Sequence, residues 1–308
     1  MLRYVMKRVL LLIPILLSVS FVVYFIMNLT TGDVVDAQYS ELTIEEKDAI
    51  REDMGLNDPI IVRYGRYIGN MLRGDMGIST TYHDPVIQVY FSRLPATLSL
   101  AFWGIIIAIL IAIPFGILAA QKQTTWVDSS SMVFGLLGLS VPNFWLGLML
   151  IIIFALNLKL LTSYGGDTWQ SIILPAITVG TSQSALLIRT TRSAMLEVIR
   201  QDYLRTARAK GVRERVVIYK HALRNALIPI VTAVGSQFSV SLGGAVVTET
   251  VFAWPGVGRL IVDSINTRDD PTAVGAIMLT TMLSSLVILA VDIIYAFVDP
   301  RVKARYSR

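Results

Sequence analysis

Few residues in this chain could do covalent chemistry, and their types narrow the field. The 308 residues include no cysteine, which excludes disulfides, thiolate metal sites and a thiol nucleophile. Two histidines, His83 and His221, are too few and too far apart in sequence to suggest a metal centre or histidine-based catalysis. No G-x-x-x-x-G-K-[ST] run is present to cradle a phosphate, so the chain is not expected to hydrolyse ATP, and neither G-x-S-x-G nor H-E-x-x-H occurs. Catalytic residues, cofactor sites and metal ligands are therefore expected to be absent.

What remains is the chemistry of docking, packing and charge inside a membrane. The run RTARAKGV, from Arg205 through Thr206 to Val212, sets the small residues Ala207 and Ala209 and the breaker Gly211 among Arg205, Arg208 and Lys210. That pattern suits a short exposed helix that docks into a groove and then turns sharply. An anchor on anionic lipid would explain the charge but not the small-residue spacing. Farther on, Gly235, Ser239 and Gly243 recur every four residues, so one helix face is lined with small side chains where another helix can come close. That neighbour could belong to the same subunit or to a partner, or the face could line a pathway. Asp292 is the one carboxylate placed within an apolar run, and it suits a structural ion pair, a pathway or gating role, or a proton site.

The elements that must position these residues are read from composition. Hydrophobic residues make up 54% of the chain and charged ones 16%, against roughly a quarter charged in a soluble domain. A mean hydropathy of +0.62 requires several apolar helices, each about 20 residues long, the length that crosses the hydrocarbon of a bilayer. Six runs qualify: Val9 to Leu29, Thr97 to Ala120, Met132 to Leu156, Ile172 to Ile188, Leu227 to Val247 and Gly275 to Val298. The first has a basic start but no small-residue cleavage signal, so it is read as a retained helix. Eighteen of the 27 Lys and Arg fall at the N-terminus, after the second run, within 189–224 and in the tail. The opposite side holds most of the acidic residues, so both termini are expected on the cytoplasmic side. The basic balance is thus a topology signal, and nucleic acid is not an expected partner.

The expected architecture is an all-α membrane protein of six helices. An N-terminal helix occupies 1–30, an extracytoplasmic region with short helices 31–96, a five-helix core 97–300 including the cytoplasmic segment 189–224, and a basic tail 301–308. In the outer region, Thr43 and Glu46 have the spacing of a capping box, Gly55 stops the helix, and Ile61, Tyr64, Ile68 and Leu72 share one helical face.

Taken together, several segments resemble the permease subunits of ABC importers in the oligopeptide, dipeptide and nickel branch, specifically the first of two homologous permeases. The segment RTARAKGVRERVVIYKHALRNALIP resembles the EAA-type coupling loop, and the likeness extends through MKRVLLLIP, GLNDPIIVRYGRYIGNMLRGDMGIS, SRLPATLSLA, SVPNFWLGL, VVTETVFAWPGVGRL and DIIYAFVDPRV. Gly211 matches the family's loop glycine and Ala207 its second alanine, whereas Arg205 and Thr206 stand where the general motif has glutamate and its first alanine.

The resemblance implies a type I ABC importer permease fold in a bacterial or archaeal cell (inner) membrane. It implies a second homologous permease, two ATP-binding subunits that carry ATP and Mg, and an extracytoplasmic substrate-binding protein, all assembled in the lipid bilayer. Arg205 to Val212 would couple this chain to an ATPase. Glu249, Phe252 and Trp254 become candidates for gate or docking contacts, with a structural plug as the other reading. Peptide is the preferred substrate class, while nickel chelates and glutathione are handled by similar permeases. A secondary carrier driven by an ion gradient would require several membrane-embedded ionisable groups or an internal repeat, and neither is found. Ala207→Trp should cost docking through steric overlap and lower stimulated ATPase activity in the assembled complex without disturbing insertion.

Overall fold

The computed structural model describes residues 2–29, 34–39, 41–162, 164–166 and 168–298; the basic tail expected over 301–308 lies outside the described residues. Among the described residues the structure is helical throughout, with one isolated antiparallel bridge between Ile78 and Pro85 and no strand. Five helices are long and apolar enough to cross a membrane, and a sixth span is formed if a bent pair is counted as one. Two compact units are present, and the long helices of the second and last spans contribute to both.

The first unit comprises residues 6–97 and 255–283. Helix α1 (Leu2–Leu29) carries Pro14, and most of its apolar side chains between Val9 and Leu29 are exposed, as lipid contact requires. Short helices α2 (Val34–Gln38), α3 (Ile44–Asp53) and α4 (Ile60–Met71) follow. The capping box forms as expected: Glu46 N–H donates to Thr43 Oγ1 at 3.4 Å, and Thr43 N–H donates to Glu46 Oε2 at 2.9 Å. The bonds that its carboxylate accepts, from Thr43 N–H and from Thr43 Oγ1 at 2.8 Å, hold the Glu46 carboxyl below its ordinary value. Gly55 ends the turn at φ +65°, a conformation that costs an L side chain about 1 kcal/mol. Only part of the anticipated apolar face on α4 is used. Tyr64 stacks edge-on against Phe21 of α1, and its hydroxyl donates to the Leu17 carbonyl at 3.1 Å, but Ile61 and Leu72 stay exposed.

The chain then makes a tight loop before α5 (Val86–Gln121), and one carboxylate organises it. Asp269 is completely buried. It accepts from Ser79 Oγ at 2.5 Å and from the Thr80 and Thr81 N–H groups at 3.2 and 3.4 Å. It also accepts from Thr272 N–H at 3.3 Å, which makes it the N-cap of the last long helix, α14 in chain order. A small core of Val89, Tyr90, Val257, Leu260 and Ala276 fixes the start of α5 in this unit, and Thr97 Oγ1 accepts from Val257 N–H at 2.8 Å.

The other unit comprises residues 1–5, 98–254 and 284–308 and holds most of the long helices. The third expected span, Met132 to Leu156, is not one straight helix. It is α6 (Trp126–Ser140) and α7 (Asn143–Leu150), which continues as a π-helical turn over Ile151–Asn157; the two arms are bent by 92°. The cause is local. Val141 is extended at φ −82° and ψ 119°, as expected for a residue before proline, and Pro142 has no N–H to continue the ladder. A 3₁₀ turn (Trp169–Ile172) leads into α8 (Ile173–Ile199), the most buried span, against which α6 and α11 (Leu223–Gly244) pack. Between α8 and α11 come α9 (Asp202–Ala209) and α10 (Glu214–Val216) with a π-helical turn, Val217–Ala222. Helices α12 (Val246–Val251), α13 (Val257–Asn266, in the first unit) and α14 (Asp270–Val298) complete the order. The fourth and sixth spans are therefore longer than their apolar runs: α8 carries helix on to Ile199, and α14 starts at Asp270, ahead of the expected Gly275.

The Asp269 node gives a first test. Asp269→Ala strands at least three donors in a buried site and should cost about 3 kcal/mol. It is expected to lower the melting temperature of the detergent-solubilised chain and open residues 77–85 to protease, whereas Ser79→Ala, which removes one of the bonds to Asp269 and the one that Ser79 Oγ accepts from Tyr82 N–H, should do markedly less.

Candidate functional site

The segment Arg205 to Val212 is built on α9 and the turn that ends it. Gln201, extended, starts the helix, and Asp202 lies in its first turn, where a carboxylate suits the positive end of the helix dipole. The end is a Schellman turn: Val212 N–H donates to the Ala207 carbonyl at 3.2 Å and Gly211 N–H to the Arg208 carbonyl at 2.9 Å. Gly211 sits at φ +75°, with no atom near the place a Cβ would occupy. The glycine is thus required by backbone conformation and not by crowding.

The two alanines face opposite ways. Leu204 is completely buried, and Ala207, three residues on, packs with Val212 against a core of Ile117, Met195, Val217, Ile218 and Ala222. Arg205, Thr206, Ala209, Lys210 and Gly211 are exposed. Arg205 makes only a loose contact with Asp202 at 3.5 Å, with both side chains in solvent, so it contributes little stability and remains available. Arg208 is braced differently: its Nε and Nη2 reach the two Glu214 oxygens at 3.1 and 2.9 Å, a bidentate pair across the turn. That carboxylate holds the guanidinium still further into its charged form. At the other end of α9, Asn225 Nδ2 donates to the Tyr203 hydroxyl at 2.6 Å, tying the helix to α11. A cavity of about 440 Å³ opens beside the turn, with Lys122, Arg215 and Tyr219 among its walls. The arrangement can present a cationic, small-residue ridge to a partner while gripping the long helices behind it.

Ala207, expected from the sequence to meet a partner, is half-buried in its own chain, and Ala209 is the small residue on the exposed side. The remaining candidates are dispersed. Gly235 lies against α14, where a Cβ would come within 2.5 Å of Val291, and Ser239 Oγ donates to the Ser284 carbonyl at 2.9 Å. Gly243 has open space before it, so the small-residue stripe is used by α14 over two of its three positions. Asp292 is the neighbour of Val291 on α14 and is half-buried. Glu249, Phe252 and Trp254 are all buried, at 0%, 1% and 5% exposure, and Phe252 packs on Gly147 of α7. None of these three side chains is offered outward for a docking contact.

Three polar contacts were not anticipated. Arg192 of α8 clasps Asp128 of α6 through two bonds of 2.6 and 2.7 Å, next to the Asp128 bond from Thr124 N–H at 3.0 Å. Gln183 of α8 donates to Ser241 Oγ of α11 inside the bundle. The third is Asp269. A search for intramembrane polar residues wider than ionisable ones would have flagged Gln183, which stands mid-span.

Comparison with known proteins gives a consistent result. Residues 112–304 match a family described as binding-protein-dependent transport system inner membrane component, and residues 1–101 match its N-terminal counterpart. A dipeptide transport system permease protein from Alkalihalophilus pseudofirmus is 41% identical, covering 98% of this chain and all of the relative. A glutathione transport system permease protein from Escherichia coli K12 is 40% identical, covering 98% and 99%. Among solved structures, an inward-facing form of the MetNI methionine ABC transporter superposes with a TM-score of 0.59 at 20% identity, covering 69% of this chain and 97% of that one. An amino acid ABC transporter solved with histidines superposes at 0.51, with 15% identity and coverage of 70% and 94%.

The two alanines separate packing from presentation. Ala207→Trp should overpack the core and cost about 1–3 kcal/mol, read as a lowered melting temperature, while Ala209→Trp should leave it unchanged. Gly211→Ala should cost about 1 kcal/mol through its positive φ, and Gly211→Asn less.

Proposed function

Because this chain belongs to the binding-protein-dependent transport system inner membrane component family, as the permease subunit of an ABC importer, we propose that it imports short peptides and that α9 couples it to an ATPase. The peptide reading is supported by the relative named for dipeptides; the one named for glutathione, itself a tripeptide, supports a second ligand of the same class. In this reading a second homologous permease completes the pathway, two ATP-binding subunits supply ATP and Mg chemistry, and an extracytoplasmic binding protein delivers ligand. The chain itself is non-catalytic. The carrying observation is α9: Arg205, Ala209 and Lys210 stand exposed on a helix whose opposite side is sunk into the core through Leu204.

Mechanically, ATP-driven approach of the ATPases displaces α9, and the displacement passes to α8 and α11. ATP shifts the permease only to the extent that it binds one arrangement better than the other. In the inward face of the membrane, α9 shares its side with both termini, as the distribution of Lys and Arg requires.

Since the chain is free of cysteine, orientation and coupling can be tested by single introductions. Glu45→Cys should react with a membrane-impermeant maleimide on intact cells, and Lys210→Cys only after permeabilisation; the reverse pattern would refute the orientation. In the purified complex with its binding protein and peptide, Ala209→Trp should reduce stimulated ATPase activity severalfold at unchanged melting temperature. Normal activity would remove α9 from the coupling contact. Uptake of labelled dipeptide, in competition with glutathione, decides between the two ligands.

A further inference from the structure

The unit formed by residues 6–97 and 255–283 contains a cavity of about 240 Å³ that the coupling chemistry does not use. Its walls carry opposite charges. Arg63 enters from α4, with one guanidinium N–H donating to the Leu56 carbonyl at 3.3 Å. A guanidinium has five N–H groups, so this bond leaves donors over. The other cation in the wall, Arg66, is committed to Asp58 at 2.6 Å. Asp270 enters from the first turn of α14. Thr80 contributes a hydroxyl that is buried without a hydrogen-bond partner, an arrangement that a polar occupant would relieve. Burial pushes the Tyr67 phenol well up from its ordinary range, so this wall stays neutral. Leu56 and Val274 supply apolar surface.

We propose that this cavity binds a free zwitterion of amino-acid to dipeptide size, its carboxylate on Arg63, its ammonium on Asp270 and its side chain against Leu56 and Val274. Among the described lining residues both signs of charge are present, which a zwitterion matches and a simple anion or cation matches only in part. The volume lies just below that of sites for drug-sized ligands, which sets the size class. The inference deepens the peptide-import reading by giving the permease a site of its own for the same class of ligand, apart from the binding protein.

The test uses the assembled permease and ATPase complex in lipid nanodiscs, without binding protein, and alanyl-leucine as probe in equilibrium binding. One saturable site for each copy of this chain is expected. N-acetyl-alanyl-leucine and alanyl-leucinamide should each bind at least tenfold more weakly. Asn70→Trp, at the exposed rim of the cavity, should abolish binding without lowering the melting temperature. Arg63→Gln should remove the preference for the free acid over the amide but keep that for the free amine, and Asp270→Asn should do the converse; misfolding cannot produce this crossed pattern. Absent saturation, equal affinity for the capped peptides, or unaltered binding to the Asn70→Trp complex would each overturn the proposal. Dipeptide uptake with binding protein, but without saturable binding at this cavity, would sink the site and leave the transport reading standing. Binding here without uptake would keep the site and sink the transport reading.

Discussion

The packing of Leu204 into the core formed by Ile117, Met195, Val217, Ile218 and Ala222 is the contact on which the functional geometry depends. Those residues come from α5, α8 and the π-helical turn before α11, so a single buried leucine joins a short surface helix to three long ones. Fully burying such a side chain contributes about 1.5–3 kcal/mol, enough to hold an eight-residue helix that would be marginal by itself. Without it α9 would be a charged loop, and its cations would have no fixed orientation to offer.

Charge and apolar surface are divided cleanly on this helix. Leu204 and Ala207 are three residues apart and face the core, while Arg205 and Ala209 look away from it. Arg208 lies between the two sides and is restrained by Glu214, so its contribution is to brace the turn. Gly211 completes the arrangement through conformation alone, since nothing crowds its position. The segment's basic residues therefore differ in setting, Arg205 and Lys210 exposed and Arg208 paired across the turn with Glu214.

The spans were legible because hydrocarbon demands long apolar helices, and that demand is written directly into composition. The break within the third span was not, since hydropathy averages are indifferent to a bend; Pro142 was visible, but a proline in a span is compatible with continuation. Helix ends were underestimated for a related reason, as α8 runs on to Ile199 in residues too polar to register as membrane. The Schellman turn and capping box were readable because each is local. Asp269 with Ser79, 190 residues apart, and Asp128 with Arg192, 64 apart, were invisible because pairing across such distances depends on the fold. The inward face of Ala207 was recoverable from its spacing to Leu204, had that leucine been treated as an anchor.

Rigidity is what would let α9 transmit force in the proposed coupling. It is joined to α8 through residues 200–201 and to α10 through residues 210–213, connections too short to absorb a displacement of the helix. Each is also cross-braced: the Schellman bonds and the Arg208 to Glu214 pair stiffen the second, and the Asn225 to Tyr203 bond ties the front of α9 to α11. A push on the exposed ridge must therefore move the ends of α8 and α11, or break the buried contacts of Leu204. Because α8 is also clasped to α6 by Arg192 and Asp128, the same push reaches a third helix without passing through any flexible segment.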